Sequence, residues 1–126
     1  MNFDFNSSTP IYLQVAFQVE ESILNGMFEE EGQVPSTTEI SKMFKINPTT
    51  ILKGFNLLVE DGILEKRRGI GMFVQQGAKD KVFEKRREQF LWSSVPEFLE
   101  TAKKLRITEA ELVQLIRGGF EHELNS

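Results

Sequence analysis

At 126 residues the chain fits one small domain, or a domain with an appendage. It contains no cysteine, which excludes a disulfide framework and thiolate chemistry and suits a reducing cytoplasm. The formal net charge of −4 argues mildly against a phosphate-binding surface, but acids and bases are segregated along the chain. Glu20, Glu21, Glu29, Glu30 and Glu31 come early, whereas Lys42, Lys45, Lys53, Lys66, Arg67 and Arg68 come later, an order that gives one positive face on an acidic body.

Met1 to Ser8 reads as a polar arm carrying Phe3 and Phe5. Thr9-Pro10 predicts the N-cap and first position of a helix whose buried stripe is Tyr12, Val15, Ala16, Val19 and Ile23, and Asn25-Gly26 ends it. Met27 to Gln33 is an acidic loop, a run of adjacent carboxylates being usually solvated. Val34-Pro35 reads as extended, a short strand beside a later hairpin. Ser36-Thr37-Thr38-Glu39 fits a capping box, with Ile40, Met43 and Phe44 as the buried side of a short helix. After the Lys45-Ile46 turn, Asn47 caps a further helix and Pro48 takes its first position, where no amide is needed.

At roughly 100° per residue, Ile51, Phe55, Leu58 and Gly62 share one side of that helix, and Thr49, Lys53, Asn56 and Glu60 the other. Such a pair of helices is either a helix-turn-helix or an ordinary helical corner, and a polar outer face is common to both. The next stretch separates them. Ile63-Leu64 and Phe73-Val74 flank the turn Lys66-Arg67-Arg68-Gly69-Ile70-Gly71, where glycines permit a tight reversal and consecutive cations sit where a phosphate backbone passes. A groove-reading helix beside a phosphate clamp makes up a winged helix, and the whole reads as a DNA-binding regulator.

Gln75 to Ala78 reads as a linker, dividing a winged helix-turn-helix domain at 1–76 from a helical tail at 77–126. The tail opens on a helix of alternating sign with Phe83, Phe90 and Leu91 on its apolar side. Leu91, Val95, Phe98, Ala102 and Leu105 recur at four-three spacing, a packing seam that Pro96 interrupts with a kink or bulged turn, Ser93 or Ser94 capping the renewed helix. Thr108 and Glu111 form a second capping box, and Leu112, Leu115, Ile116 and Phe120 make the inner face of a last helix near Ala110 to His122. With Trp92, this is more apolar surface than two helices hide; a second copy covers it, or the tail folds back on its own winged helix.

The runs Pro10-Ile11-Tyr12-Leu13-Gln14, Val34-Pro35-Ser36, Asn47-Pro48-Thr49-Thr50-Ile51, Glu60-Asp61-Gly62-Ile63-Leu64-Glu65 and Arg67-Arg68-Gly69-Ile70-Gly71-Met72-Phe73-Val74 stand in order and at the spacing of the GntR family of bacterial transcription factors, whose N-terminal domain this chain resembles. The asparagine-proline start and short C-terminal part are similar to the YtrA-type subgroup. The resemblance implies a mainly α fold with a small β-hairpin, a winged helix-turn-helix followed by a two-helix dimerisation tail, acting as a homodimer on an inverted-repeat operator and often repressing transport operons. It puts DNA contacts at Ser36, Thr37 and Thr38, at Thr49, Thr50 and Lys53, and at Arg68 and Gly69; Asn56 joins them from the helical wheel, and Asn47 and Arg67 as neighbours. Thr38 and Pro48 stand where the family commonly has arginine, and Leu52 where a base is frequent. Those departures bear on operator sequence and affinity, because a bidentate arginine–guanine pair carries about 1–3 kcal/mol of discrimination.

Enzyme chemistry finds no support. His122, the only histidine, has no cysteine or second histidine with which to build a zinc site or a nucleophile pair, and Arg68-Gly69-Ile70-Gly71 lacks the flanking strand and helix of a phosphate loop. No cofactor is expected. Neither a secretory leader nor a membrane-length apolar run is present, so the expectation is a soluble cytoplasmic protein. The tail is too small for a generous effector pocket, although a small effector at a dimer seam stays open. The alternative of another class is a winged helix that binds protein through Leu52 and Leu57.

Overall fold

In the computed structural model, which describes Met1 to His122, short capping motifs set the starts of the central helices. Helix α1 spans Ile11–Leu24, α2 Thr37–Phe44 and α3 Pro48–Glu60; strands β1 (Leu64–Arg67) and β2 (Gly71–Val74) come next, then α4 (Ala78–Gln89), a π-helical turn at Phe90–Ser94, α5 (Val95–Lys104) and α6 (Glu109–Glu121). The Ser36–Glu39 and Thr108–Glu111 capping boxes both form. Asn47 Oδ1 accepts the Thr49 amide at 2.8 Å. Thr9, by contrast, does not cap α1: Pro10 holds that position without a side-chain bond, and the Thr9 carbonyl accepts from Gln14 Nε2 instead.

The chain divides into two compact units, Met1–Lys85 and Arg86–Ser126. In the first, Val15, Val19 and Ile23 of α1 meet Ile40 of α2 and Ile51, Phe55 and Leu58 of α3, with Ile63, Leu64, Met72 and Val74 closing the core from the hairpin. Fully burying a side chain of this size contributes roughly 1.5–3 kcal/mol, which is why the apolar spacing dictates the fold. The antiparallel register runs from Leu64 opposite Val74 to Arg67 opposite Gly71. Gln33 bridges Phe73, and the Val34 amide donates to Met72 O at 2.9 Å, so the expected extended segment does lie along the hairpin.

Several expectations are corrected. Lys66 and Arg67 belong to β1, leaving Arg68 to Ile70 as the turn. Met1 and Phe3 pack against the core, Phe3 edge-on to Phe44 at 5.1 Å, so the N-terminus is not a free arm. Met43 lies outside the core at 68 % exposure, because so short a helix turns one narrow stripe inward. Residues 75–78 form a tight turn rather than a linker: Gly77 has φ +83°, and Ala78 and Val82 are wholly buried in the first unit. Glu30, expected in a solvated loop, accepts from the Gly77 and Lys79 amides at 2.7 and 3.1 Å, closing the start of α4. Those two bonds, Gly77's first, hold its carboxyl below the ordinary glutamate value.

In the second unit Pro96 has no amide to donate, and the Val95 amide reaches back five residues to Phe90 O, the bulged turn expected there. Neither serine caps α5; Ser94 keeps helical angles and makes no side-chain capping bond. Arg106, at φ +59°, turns the chain between α5 and α6, and the Ile107 amide donates to Ala102 O at 3.0 Å. Ala102, expected on the seam, is buried already in the single chain. The inner face expected on α6 is open in the single chain: Leu112 is half-buried, whereas Leu115, Ile116 and Phe120 are exposed. Among the described residues no helix is long and apolar enough to cross a membrane.

Candidate nucleic-acid interface

Helix α3 is clamped at both ends, by Asn47 and Pro48 at its start and by a left-handed Gly62 after Asp61 at its finish. Its core stripe of Ile51, Phe55 and Leu58 fixes the rotation about its axis, and that rotation leaves Thr49, Lys53 and Asn56 exposed with Thr50 half-buried. On α2, Thr38 is exposed and Thr37 half-buried. Ser36 is already occupied: its hydroxyl accepts from the Glu39 amide at 3.0 Å and its own amide donates to Glu39 Oε1 at 2.9 Å. The bonds from the Ser36 amide and then its hydroxyl lower the Glu39 carboxyl below its ordinary value.

The start of α2, the middle of α3 and the hairpin converge. Ser36, Thr37, Leu52, Phe55, Lys66, Arg67 and the Gly69–Met72 segment line one open cleft of about 300 Å³. Its lining includes hydroxyls from Ser36 and Thr37 and cations from Lys66 and Arg67, donor types that phosphate oxygens accept. At the hairpin tip Arg68 and Gly69 are exposed, and Gly69 adopts φ +75°, a backbone that a side chain resists.

Two of the candidate cations have partners inside the chain. The Lys53 ammonium sits over the Tyr12 ring, 4.0 Å from its centroid, and the Arg67 guanidinium lies 3.9 Å over the Phe73 ring with Glu65 at 3.6 Å. A contact of this kind contributes about 0.5–1 kcal/mol at an exposed site, enough to bias a flexible side chain toward one pose. The Asn47 side-chain oxygen, Oδ1, is committed to capping. Tyr12 was expected in the core, and its ring as a seat for Lys53 was missed; the helical wheel of α1 alone carries no signal of it. Gly54 was missed too: a Cβ there would lie 2.7 Å from Tyr12 O and 3.0 Å from Val15, so α1 and α3 cross at this glycine. Phe83, Phe90, Leu91, Phe98 and Leu105 are exposed and Val95 half-buried in the single chain.

The description "Bacterial regulatory proteins, gntR family" matches residues 11–74, about half of the chain and all of the elements just described from α1 to β2. The chain is 34% identical over 84 residues to the transcriptional repressor YtrA of Bacillus subtilis, an alignment covering 67% of this chain and 65% of that one. Among solved structures, a GntR-family transcriptional regulator of Bacteroides thetaiotaomicron is 33% identical with a TM-score of 0.74, covering 90% of this chain and 98% of that one. The DNA-binding domain of AraR in complex with its operator ORX1 is 29% identical with a TM-score of 0.53, over 58% of this chain and 92% of that one. With half its length matched by the family description and the winged helix-turn-helix in place, the chain belongs to the gntR family of bacterial regulatory proteins.

Proposed function

We propose that the chain is a sequence-specific DNA-binding transcriptional regulator, a repressor that acts as a homodimer on an inverted-repeat operator in the cytoplasm. The observation that carries the reading is the convergence of α2, α3 and the cationic hairpin on one cleft, with Thr49, Lys53 and Asn56 exposed beside it. Likeness to a domain crystallised on its operator, and to a protein named as a repressor, supports the same reading. In this arrangement α3 enters the major groove and offers Thr49, Thr50, Lys53 and Asn56 to base edges. The N-terminal residues of α2 and the wing residues Arg68 and Gly69 position the duplex through its backbone.

Footprinting on genomic fragments across salt concentrations tests this. Binding through about six to ten phosphate contacts loses orders of magnitude in affinity between roughly 50 and 200 mM salt. Arg68→Ala lowers affinity on every sequence and reduces the salt slope by about one, whereas Lys53→Ala also changes site preference. Equal and negligible effects from both changes would place the contact surface elsewhere. Exposed Leu52 on α3 is the feature favouring a protein-binding winged helix; association through it would be nearly indifferent to salt.

A further inference from the structure

We propose that Gln33 is the positioning residue of the wing: its side-chain amide fixes the tip of the β1–β2 turn, and with it the pose in which Arg68 meets DNA. The inference rests on the DNA-binding reading above. At the turn the Ile70 amide donates to Arg67 O at 3.0 Å beyond the Arg67–Gly71 end of the ladder, and its glycines hold φ of +75° at Gly69 and +141° at Gly71. A turn so built, exposed and rich in glycine, is poorly restrained by its own residues. The second restraint comes from far away in sequence. Gln33 Nε2 donates to Ile70 O at 2.9 Å, across 37 residues.

Gln33 has a firm base for this reach. Its backbone bridges Phe73, the Val34 amide donates to Met72 O at 2.9 Å, and the Val74 amide donates to Gly32 O at 2.9 Å. The segment before α2 therefore runs beside β2, joined to it by an isolated bridge and flanking backbone bonds, and the Gln33 side chain extends from it to the tip. Gly71 leaves the room required: a Cβ there would stand 2.6 Å from Gln33 Nε2. The same neighbour, Phe73, carries the Arg67 guanidinium on its ring, so both ends of the turn are tied to one local frame. Releasing the Ile70 carbonyl leaves the tip to move, and DNA binding must then order it at an entropic cost.

Gln33→Met preserves the length of the side chain and removes its donor. The probe is the duplex that the full wild-type chain enriches from a randomised pool. The variant should keep its Tm within about 2 °C, because Gln33 is a surface residue, and lose affinity for that duplex roughly two- to fivefold, the effect of one exposed hydrogen bond. In the free protein, the heteronuclear NOE of the Gly69, Ile70 and Gly71 amides should fall. In an Arg68→Ala background the same change should have no further effect on affinity, since both act through one element. Unchanged amide dynamics, wild-type affinity, or an undiminished loss in the Arg68→Ala background would each overturn the role of Gln33 while leaving DNA binding intact. A wild-type chain that enriches no duplex would overturn the DNA-binding reading and this inference with it.

Discussion

At Gly54 α3 meets the backbone of α1, and the geometry there admits no side chain without movement. A methyl group would meet Tyr12 O at 2.7 Å and two Val15 carbons at 3.0 Å, and the backbone oxygen belongs to a helix that cannot yield locally. Gly54→Ala gains helix propensity of up to about 1 kcal/mol, but overpacking typically costs 1–3 kcal/mol, and the approach is close enough for the clash to win. The expected outcome is a net loss of about 1–2 kcal/mol, read as a lower urea midpoint at unchanged slope. The same change tilts α3 against α1, so Lys53 leaves the Tyr12 ring and operator affinity falls with stability; a variant more stable than the wild type would show that α1 simply moves aside.

Between elements, one tie in the first unit is ionic. Lys85 of α4 donates to Glu20 Oε2 of α1 at 2.7 Å and to Asp61 Oδ2 at the end of α3 at 2.9 Å, with the Glu20 side chain only 5% exposed. Burial by itself would lower the Lys85 pKa, but the hydrogen bonds to Asp61 and Glu20, and the charges of both, outweigh it and hold the ammonium above its ordinary value of 10.5. Removing that ammonium from a buried carboxylate costs several kcal/mol in a closed interior, less where the lysine and Asp61 reach solvent. Lys85→Met should therefore destabilise the fold by about 1–3 kcal/mol, and adding Glu20→Gln should restore part of the loss. Because the folded pKa is raised, on the alkaline side this stabilisation persists up to pH 10.5 and is lost as pH climbs through the folded value, so from neutral pH to strong alkali wild type and variant stay apart. A gap that closed between pH 7 and 9 would mean another group carries it. Such ties mark the limit of what the sequence discloses. The Ser36–Glu39, Asn47–Thr49 and Thr108–Glu111 caps were legible because each is completed within a few residues. Gln33 to Ile70, Glu30 to Gly77 and Glu20 to Lys85 span 37, 47 and 65 residues, so their partners are set by packing and not by local spacing. For the same reason Ala78 and Val82 read as linker and solvated helix until the core they complete is seen.

At the scale of the molecule the question is what covers the second unit. Trp92, Leu115 and Phe120 are 75%, 70% and 82% exposed in the single chain, with Phe90, Phe98 and Leu105 also exposed, on helices that carry their polar residues alongside. So many large apolar side chains left open favour association, and closed two-fold pairing is the commonest outcome for identical chains. The proposal of tail-mediated dimers therefore predicts sedimentation at twice the 14.5 kDa chain mass. Leu115→Glu with Ile116→Glu should give a monomer without unfolding it, since both side chains are at least half exposed and little of the unit's own packing is lost. Two half-sites read by a linked pair gain about 10²- to 10⁴-fold over either alone. The monomeric variant should lose that factor on a two-half-site operator and bind a single half-site as the wild type does. A double variant that still sediments as a dimer would remove the tails from the interface, and a monomer that binds the full operator undiminished would remove the need for pairing at all.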